Sequence, residues 1–338
     1  MERIKLLEDK YYVVVAALFK ESVFQKKGEE LIEEHFKFIR AFTQDAFTLF
    51  EEKAVLAQGE LISTALLHLL TQELGVDSVL ISALNFMRTD KDGEPDQFYI
   101  KENITRELEK YPEETNFITQ GYICRNSFGE IDNLKRGGSD YSASLIGVGV
   151  KAEEIQIWTD IDGMHNNDPR VVKGTYPLPN ISFDEAAELA YFGAKILHPS
   201  SVVPAKKGNI PVRLKNTMEP NARGTLIDAH GKGAGIKAIA AKDNITAIKI
   251  KSDRMLLAHG FLRRVFEIFE TYKTSIDMVT TSEVAVSVTI DDCSSIEEIK
   301  KNLAKYGSIE IDEELTIVCV VGDFIAESKG YAQMIFKA

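Results

Sequence analysis

The chain has 338 residues, more than a single hydrophobic core normally organises, so its length predicts two domains. Hydrophobic residues make up 44% and charged residues 27%, and the formal net charge of -12 at pH 7 argues against a nucleic-acid partner, because phosphate backbones are held by clustered Lys and Arg. No apolar run approaches the roughly 20 residues that span a bilayer and the amino end lacks a secretory signal, so we expect a cytoplasmic protein without a membrane partner.

The first half of the chain alternates between helical and extended patterns. Amphipathic helices are predicted over 29–50 and 59–74. Apolar strands are predicted over 11–15, 79–83, 116–123 and 154–158. Strands that recur between helices predict an α/β fold with a mostly parallel sheet sandwiched by helices.

The composition changes near Asp228, where the segment Asp-Ala-His-Gly-Lys-Gly-Ala-Gly places small residues between two apolar segments. This change predicts a first domain over 1–228, a linker over 229–236 and a second domain over 237–338. The second domain is predicted to contain, in order, strand 245–250, helix 260–272, strands 276–280 and 284–290, helix 295–305 and strand 308–311. This βαββαβ order predicts a ferredoxin-like α+β unit. A strand over 315–321 and a helix from Ser328 predict a second, incomplete unit.

The three cysteines, Cys124, Cys293 and Cys319, are scattered, with no CxxC pair. They do not form the pattern of a zinc site, so we expect reduced thiols in the core.

One candidate anion site follows Leu134. Arg136 is followed by two glycines and then by Ser139 and Asp140, ahead of an apolar helix. Ser139 and Asp140 suit N-cap positions, and bare N–H groups at a helix start beside an Arg side chain can bind a phosphate or a carboxylate. An ordinary strand-to-helix turn explains the same residues, so both interpretations stay open.

A second candidate is the strand that ends in Thr159 and Asp160, with His165 and Arg170 further along. In open α/β sheets, ligands lie outside the carboxyl ends of strands. A loop followed by a turn at Asp168-Pro accounts for these residues without a ligand.

Two further segments have a structural explanation of their own. Lys195 and His198 lie near the predicted last turn of a helix, where cations complement the helix dipole. Glu60 opens a predicted helix, and an acidic residue in the first turn also complements the helix dipole.

Together and in this order, the segments resemble the aspartate kinase family, which has the amino-acid-kinase fold. The matching motifs are Gln-Gly-Glu60, Phe-Met-Arg88-Thr, Ile-Thr-Gln-Gly-Tyr122, Arg136-Gly-Gly-Ser-Asp-Tyr, Ile-Trp-Thr-Asp160, Asp-Pro-Arg170, Phe-Gly-Ala-Lys195 and Ile-Pro-Val-Arg213. The resemblance extends from about Leu49 to the end of the chain.

The resemblance implies an enzyme that uses ATP with Mg²⁺ to phosphorylate the side-chain carboxylate of L-aspartate. The product is 4-phospho-L-aspartate, in the first step of lysine, threonine and methionine biosynthesis. The implied aspartate-binding residues are Glu60 for the ammonium group, Arg136 for the carboxylate, and Tyr122, Ser139 and Asp140 in the same pocket. Arg136 and Asp140 are the implied catalytic residues. The implied ATP contacts are Thr159, Asp160, His165, Arg170 and Lys195, and no metal site built from protein side chains is predicted.

The second domain resembles the family's ACT regulatory region. Its implied effector-binding residues are Met255, Ala258, Phe261, Leu262, Ile276, Asp277, Ser282 and Glu283. Asp277 and Glu283 can pair with the cationic end of an amino acid, and N–H groups at the start of the helix from Gly260 can donate hydrogen bonds to its carboxylate. The resemblance implies inhibition by lysine, with or without threonine, and a homodimer or higher oligomer formed through the ACT region.

Two motifs of the family are absent from this sequence. One is an opening strand that ends in Lys-Phe-Gly-Gly, whose lysine neutralises the transferring phosphate, and the other is a Ser-Ala-Met-rich loop after Val-Val-Val. The junction near Val15 and the end at Ala338 lead us to expect that the sequence omits residues there. Two other functions stay open: a non-catalytic amino-acid sensor, and a glutamate or N-acetylglutamate kinase of the same fold.

Overall fold

The structure is a computed structural model that describes residues 2–42, 47–135, 137–193, 197–231, 233, 235–252, 259–323 and 330–337. The chain divides into two compact units. Unit 1 comprises Met1–His165, Tyr176–Tyr191 and Lys195–Gly233, and unit 2 comprises Asn166–Thr175, Phe192–Ala194 and Ala234–Ala338. Two short segments of the first 228 residues therefore belong to unit 2, and the finer domain limits given above stay a prediction.

Three helices open unit 1: α1 (Glu2–Leu18), α2 (Ser22–Ala41) and α3 (Leu49–Glu73). Their shared core contains Val15, Phe19, Ile32, Phe36, Ile62 and Leu66. The strand predicted over 11–15 is wrong, because this run lies inside α1. Its β-branched valines favour strands, but at helical spacing Val15 and Phe19 share one face and are buried against α2. α1 continues through Val15, and the expectation that the sequence omits residues near this position stays a prediction.

The rest of unit 1 consists of short strands and four more helices. The helices are α4 (Gln97–Glu109), α5 (Gly138–Val150), α6 (Phe183–Phe192) and α7 (Val203–Gly208). The strands are β1 (Val79–Leu80), β2 (Phe117–Ile118), β3 (Ile123–Arg125), β4 (Ile131–Asn133), β5 (Ile155–Thr159), β6 (Asn180–Ser182), β7 (Val212–Asn216) and β8 (Thr225–Asp228). β1 and β2 are parallel, β3 and β4 form an antiparallel pair, and a four-stranded sheet has the order β5-β7-β8-β6. Within that sheet β5/β7 and β6/β8 are parallel and β7/β8 is antiparallel.

Several strands and helices of unit 1 begin or end at residues other than those predicted. The strand over 154–158 is confirmed as β5, whereas the strand over 79–83 ends at Leu80 and the strand over 116–123 is divided into β2 and the start of β3. The division lies at Tyr122, whose φ of +66° interrupts the extended backbone. The helix predicted over 29–50 corresponds to α2 and the start of α3, and the helix over 59–74 is the second half of α3.

α3 is the one helix in the described ranges that is long and apolar enough, by length and composition alone, to cross a membrane. A core helix of a globular protein meets the same criterion. α3 contributes Ile62 and Leu66 to the core that it shares with α1 and α2, and Ala57 to a second core. That second core also contains Phe86, Met87, Ile100, Ile104, Ile123 and Leu145, so it joins α3 to α4, β3 and α5.

Unit 2 contains a four-stranded antiparallel sheet with the order β10-β11-β9-β12. Its strands are β9 (Gly235–Lys251), β10 (Met278–Thr281), β11 (Ala285–Ile290) and β12 (Ser308–Asp323). α8 (Phe261–Thr271) and α9 (Ile296–Leu303) pack against this sheet in one core. The chain order β9-α8-β10-β11-α9-β12 confirms the predicted ferredoxin-like unit.

The predicted strands 308–311 and 315–321 form the single strand β12, whose pairing with β9 shifts register between Asp312 and Leu315. The helix predicted from Ser328 begins outside the described residues, and α10 covers Tyr331–Lys337. Cys124 is buried and Cys319 half-buried, but Cys293 is exposed in the loop before α9, so the prediction of a core thiol is wrong there.

Candidate active site

A cleft of about 410 Å³ lies at the amino end of α5 in unit 1. It is lined by Glu60, Tyr122, Lys135, Gly137, Gly138, Ser139 and Asp140. The structure thus brings together four of the residues that were predicted to bind aspartate: Glu60, Tyr122, Ser139 and Asp140. Arg136, the fifth, lies outside the described residues.

The amino end of α5 forms one wall of this cleft. Its N-cap is Gly137, with a φ of +71°, so Ser139 and Asp140 lie in the first turn and the prediction that they are N-caps is wrong. The left-handed conformation of Gly137 makes the turn into the helix, which leaves both side chains at the cleft. N–H groups of a first helical turn have no partner inside the helix, and the positive end of the helix dipole lies there. This wall therefore suits an anion.

Tyr122 forms a second wall. Its backbone N–H donates to Oγ of Ser142 over 3.0 Å, and its carbonyl accepts from the N–H of Leu134 over 2.8 Å. A Cβ added at Gly138 would lie 2.8 Å from Cδ2 of Tyr122, so only glycine permits the ring to pack this closely against α5.

Glu60 lies in the middle of α3, so the prediction that it opens a helix is wrong. α3 begins eleven residues earlier at Leu49, where Thr48 and Glu51 form a capping box. Glu60 is half-buried, and burial raises the pKa of its carboxyl group. Burial, then the negative charges of Asp132 and Glu60, also raise the pKa of the Tyr122 phenol. A cation bound beside Glu60 would offset the cost of burying its charge.

The cleft therefore has a carboxylate on α3 and a helix amino end on α5. An α-amino acid carries an ammonium group and a carboxylate on the same carbon atom. The two walls suit these two charges, so the geometry favours an amino acid over a ligand of a single charge.

His198 has an electrostatic effect on the carboxyl group of Asp140 that the sequence did not indicate. Burial raises the pKa of the Asp140 carboxyl, and the positive charge of His198 acts in the opposite direction. His198 had been assigned to a helix end, but α6 ends at Phe192, and His198 precedes a short 3₁₀ turn, Pro199–Val202. It also lines a neighbouring cavity of about 320 Å³ with Glu94, Lys135 and Tyr141. No local signal reveals this electrostatic effect, because 58 residues separate Asp140 from His198.

The predicted nucleotide segment follows the carboxyl end of β5. The Thr159 hydroxyl donates to Oδ1 of Asp160 over 3.1 Å, and Nε2 of His165 lies 2.6 Å from Oδ1 of Asp162. The buried Thr225 hydroxyl fixes this loop, because it accepts from the N–H of Met164 over 2.9 Å. Thr225 was not singled out from the sequence.

The other two predicted nucleotide contacts are Arg170 and Lys195. Arg170 belongs to unit 2, is exposed, and pairs with Asp168 at 2.6 Å. Lys195 lies outside the described residues.

Four of the predicted effector residues of unit 2 lie at the two ends of β10. Ile276 and Asp277 precede β10, whereas Ser282 and Glu283 follow it; Phe261 and Leu262 begin α8, and Met255 and Ala258 are outside the described residues. At about 3.3 Å per residue, roughly 13 Å of strand separates Asp277 from Thr281. The Asp277 side chain is 0% exposed, with Nζ of Lys242 at 3.0 Å, and the same Nζ lies 2.9 Å from Oδ2 of Asp291. Asp277 and Glu283 of one chain are thus too far apart to pair with the same ammonium group.

Comparison with known sequences identifies the family. The profile of the Amino acid kinase family matches residues 5–216. The lysine-sensitive aspartokinase 3 of Escherichia coli is 31% identical over 347 residues, which cover 99% of this chain and 77% of that relative. The chloroplastic aspartokinase 3 of Arabidopsis thaliana is 40% identical over 224 residues, which cover 63% of this chain and 39% of that relative. The chain thus spans about three quarters of the bacterial relative and about two fifths of the plant relative.

Solved structures of E. coli aspartokinase III match the whole fold. The R-state complex with aspartate and ADP has a TM-score of 0.83 and 30% identity, covering 99% of this chain and 78% of that chain. The T-state complex with lysine and aspartate has a TM-score of 0.78 and 31% identity, with coverage of 99% and 77%. These matches confirm the predicted amino-acid-kinase fold with an ACT-like regulatory region. The chain belongs to the amino acid kinase family and, within that family, to the aspartokinases.

Proposed function

We propose that the protein phosphorylates the side-chain carboxylate of L-aspartate with ATP, giving 4-phospho-L-aspartate, in the cytoplasm. The observation that carries this proposal is the cleft that Glu60 shares with the amino end of α5. The resemblance of the chain to aspartokinases supports it.

Glu60 binds the ammonium group of aspartate, and the first N–H groups of α5 and the Ser139 hydroxyl donate hydrogen bonds to its α-carboxylate. The side-chain carboxylate of the substrate is already ionised at neutral pH, so phosphoryl transfer needs no strong base. The obstacle is bringing two anions together. Arg136 is proposed to neutralise charge at this point.

ATP is proposed to lie at the carboxyl end of β5, in contact with Thr159, Asp160 and His165, and with Arg170 and Lys195. Mg²⁺ usually binds one or two carboxylates together with substrate phosphates. Within the described ranges, no three His, Cys, Asp or Glu side chains assemble as a metal site. Mg²⁺ is proposed to bind together with the phosphates of ATP, and Asp160, beside Thr159, is the carboxylate proposed to hold it.

Regulation is proposed to require a second copy of the chain. β10 is an edge strand and all four of its residues are exposed. Antiparallel pairing of two β10 strands about a two-fold axis would place Asp277 of one protomer near Ser282 and Glu283 of its partner. The acidic side chains at such a site would suit the cationic end of an amino acid, and the lysine-sensitive relative favours lysine, with or without threonine.

The proposed reaction is tested by the formation of an acyl phosphate, trapped with hydroxylamine, in the presence of Mg²⁺ and ATP. Aspartate, glutamate and N-acetylglutamate are compared as acceptors, and we expect turnover with aspartate. N-Acetylglutamate has no ammonium group and would leave the Glu60 charge without a counterion, so it is a poor fit for this cleft. Binding of a free amino acid without ATP binding or turnover would instead support the sensor function.

A further inference from the structure

A buried hydroxyl connects α5 to the wall formed by Tyr122. Ser142 is 1% exposed, and its Oγ donates to the carbonyl of Gly138 over 2.8 Å. The same Oγ accepts from the backbone N–H of Tyr122 over 3.0 Å. A serine inside a helix commonly donates to the carbonyl four residues earlier, so the first bond is ordinary. The second bond is not, because it joins the helix to a loop 20 residues earlier in the chain.

That loop holds Tyr122 in a conformation that a bulky residue rarely adopts. The φ of Tyr122 is +66°, in the left-handed region where side chains other than those of Gly, Asn and Asp are uncommon. Such a conformation persists only where the surroundings determine it. The Ser142 hydroxyl binds the N–H side of Tyr122, and the Leu134 N–H binds its carbonyl over 2.8 Å.

The neighbouring glycines allow the Tyr122 loop to pack closely against α5. A Cβ at Gly121 would lie 3.0 Å from Cα of Ser139, and one at Gly138 would lie 2.8 Å from Cδ2 of Tyr122. The backbone of the loop therefore lies directly on the first turn of α5. Loss of the Ser142 hydroxyl would leave the Tyr122 N–H without its acceptor, and the loop would relax toward a common conformation that carries the ring away from the cleft.

We propose that Ser142 is a positioning residue for the amino-acid substrate: its hydroxyl holds Tyr122 in the left-handed conformation that places the tyrosine ring in the cleft beside Glu60. This inference rests on the proposed function of that cleft. Ser142 does not itself line the cleft, so it acts through Tyr122.

α5 provides a matched control two residues further along. Ser144 is 0% exposed, and its Oγ has no hydrogen-bond partner among the residues that the structure describes. Ser144→Ala thus removes an equally buried hydroxyl from the same helix without affecting the bond to Tyr122.

The test compares the steady-state kinetics of Ser142→Ala, Ser142→Thr and Ser144→Ala. Ser142→Ala should raise the KM for aspartate about ten-fold, because only a fraction of molecules keep Tyr122 in place, and should leave the KM for ATP unchanged. Ser142→Thr keeps the hydroxyl and should restore the KM for aspartate. Ser144→Ala should match the wild type in both constants.

A second variant keeps the test informative where Ser142→Ala fails to fold. Gly121→Ala pushes the loop from α5 with the Ser142 hydroxyl intact, and it should also raise the KM for aspartate alone. Two outcomes would overturn the inference when the wild type turns over aspartate. One is a KM for aspartate that is the same in Ser142→Ala and Ser144→Ala, and the other is a Gly121→Ala variant with wild-type kinetics. A wild type that does not phosphorylate aspartate would instead overturn the proposed function, and the inference with it.

Discussion

The side chain of His198 packs against Gly137, at the residue where the backbone turns into α5. A Cβ added at Gly137 would lie 2.4 Å from Cβ of His198, and φ at Gly137 is +71°. The carbonyl of Gly137 also accepts from Oγ of Ser201 over 3.3 Å. The segment that carries His198 thus fixes the amino end of α5, which forms the wall of the cleft that suits an anion.

Gly137→Ala should therefore both destabilise the protein and weaken aspartate binding. The new methyl group meets a side chain and also requires a left-handed backbone, so we expect a loss of about 2 kcal/mol or more in the free energy of unfolding. Chemical denaturation and the KM for aspartate measure the two effects. Gly129→Ala is the control, because φ is +84° there and nothing lies within 4 Å of an added Cβ. It should cost only about 1 kcal/mol and leave the KM unchanged; equal losses in both variants would contradict the contact with His198.

Replacing Glu60 should separate stability from function. Burial raises the pKa of the Glu60 carboxyl in the folded protein above its value in the unfolded chain. Between these two pKa values the folded protein binds more protons than the unfolded chain, so the free energy of unfolding falls as pH rises through the folded pKa. Glu60→Gln removes this charge. The variant should be more stable than the wild type at neutral pH, and the difference should vanish at low pH, where both side chains are neutral.

The same Glu60→Gln variant should lose affinity for aspartate, with a KM raised more than about ten-fold, because the ammonium group of the substrate loses a charged partner. In the wild type, aspartate binding should weaken as pH falls through the raised pKa of Glu60. Melting curves across pH and a titration of the KM measure these effects. A variant with unchanged affinity would remove Glu60 from the binding site.

The elements that the sequence predicted well are those that local periodicity determines. In unit 2, Phe261, Val265 and Phe269 repeat at helical spacing and all are buried, so α8 could be identified from the sequence alone. β11 alternates between buried and half-buried residues and was predicted with almost the same bounds. Glu60 was placed wrongly although a local signal existed, since Thr48 and Glu51 have the spacing of a capping box.

The remaining errors arose where distant residues determine the local structure. The Tyr-Tyr-Val-Val-Val run favours a strand by propensity, but Val15 packs so closely against α2 that a Cβ at Gly28 would lie 2.9 Å from its Cγ1. The left-handed conformation of Tyr122 has no local sequence signal, because the hydroxyl that accepts a hydrogen bond from its N–H belongs to Ser142, 20 residues further along the chain. Motifs pointed to Glu60, Tyr122, Ser139 and Asp140 of the cleft, whereas Lys135 and the contacts that hold the cleft residues in place could not be predicted.

Lys242 should be essential for the stability of unit 2. Its ammonium group lies between the buried carboxylate of Asp277 and that of Asp291, at 3.0 and 2.9 Å. Lys242→Met removes the cation that neutralises Asp277, and we expect a loss of about 3 kcal/mol. Lys251→Met is the control on the same strand, because its ion pair with Glu310 is exposed and should contribute at most about 1 kcal/mol.

Adding Asp277→Asn to Lys242→Met should recover part of that stability, because the uncompensated charge is removed. Hydrogen exchange of the amides in β9, β10 and β11 localises the effect within unit 2. Similar losses in Lys242→Met and Lys251→Met would show that burial of Asp277 does not depend on Lys242.

Thr225→Val should impair nucleotide binding without affecting aspartate. The Thr225 hydroxyl accepts from the N–H of Met164 over 2.9 Å and donates to the carbonyl of Leu178 over 2.7 Å, and the side chain is 0% exposed. A Cβ at Gly163 would lie 2.4 Å from this hydroxyl, so the loop that carries Asp160 and His165 lies directly on Thr225. Valine has nearly the same shape but leaves the Met164 N–H without its acceptor, which predicts a KM for ATP about five-fold higher. Thr225→Ser, which keeps the hydroxyl, should stay close to the wild type. Parallel titrations of ATP and aspartate measure the effect, and equal increases in both KM values would show a general loss of structure instead of a displaced nucleotide loop.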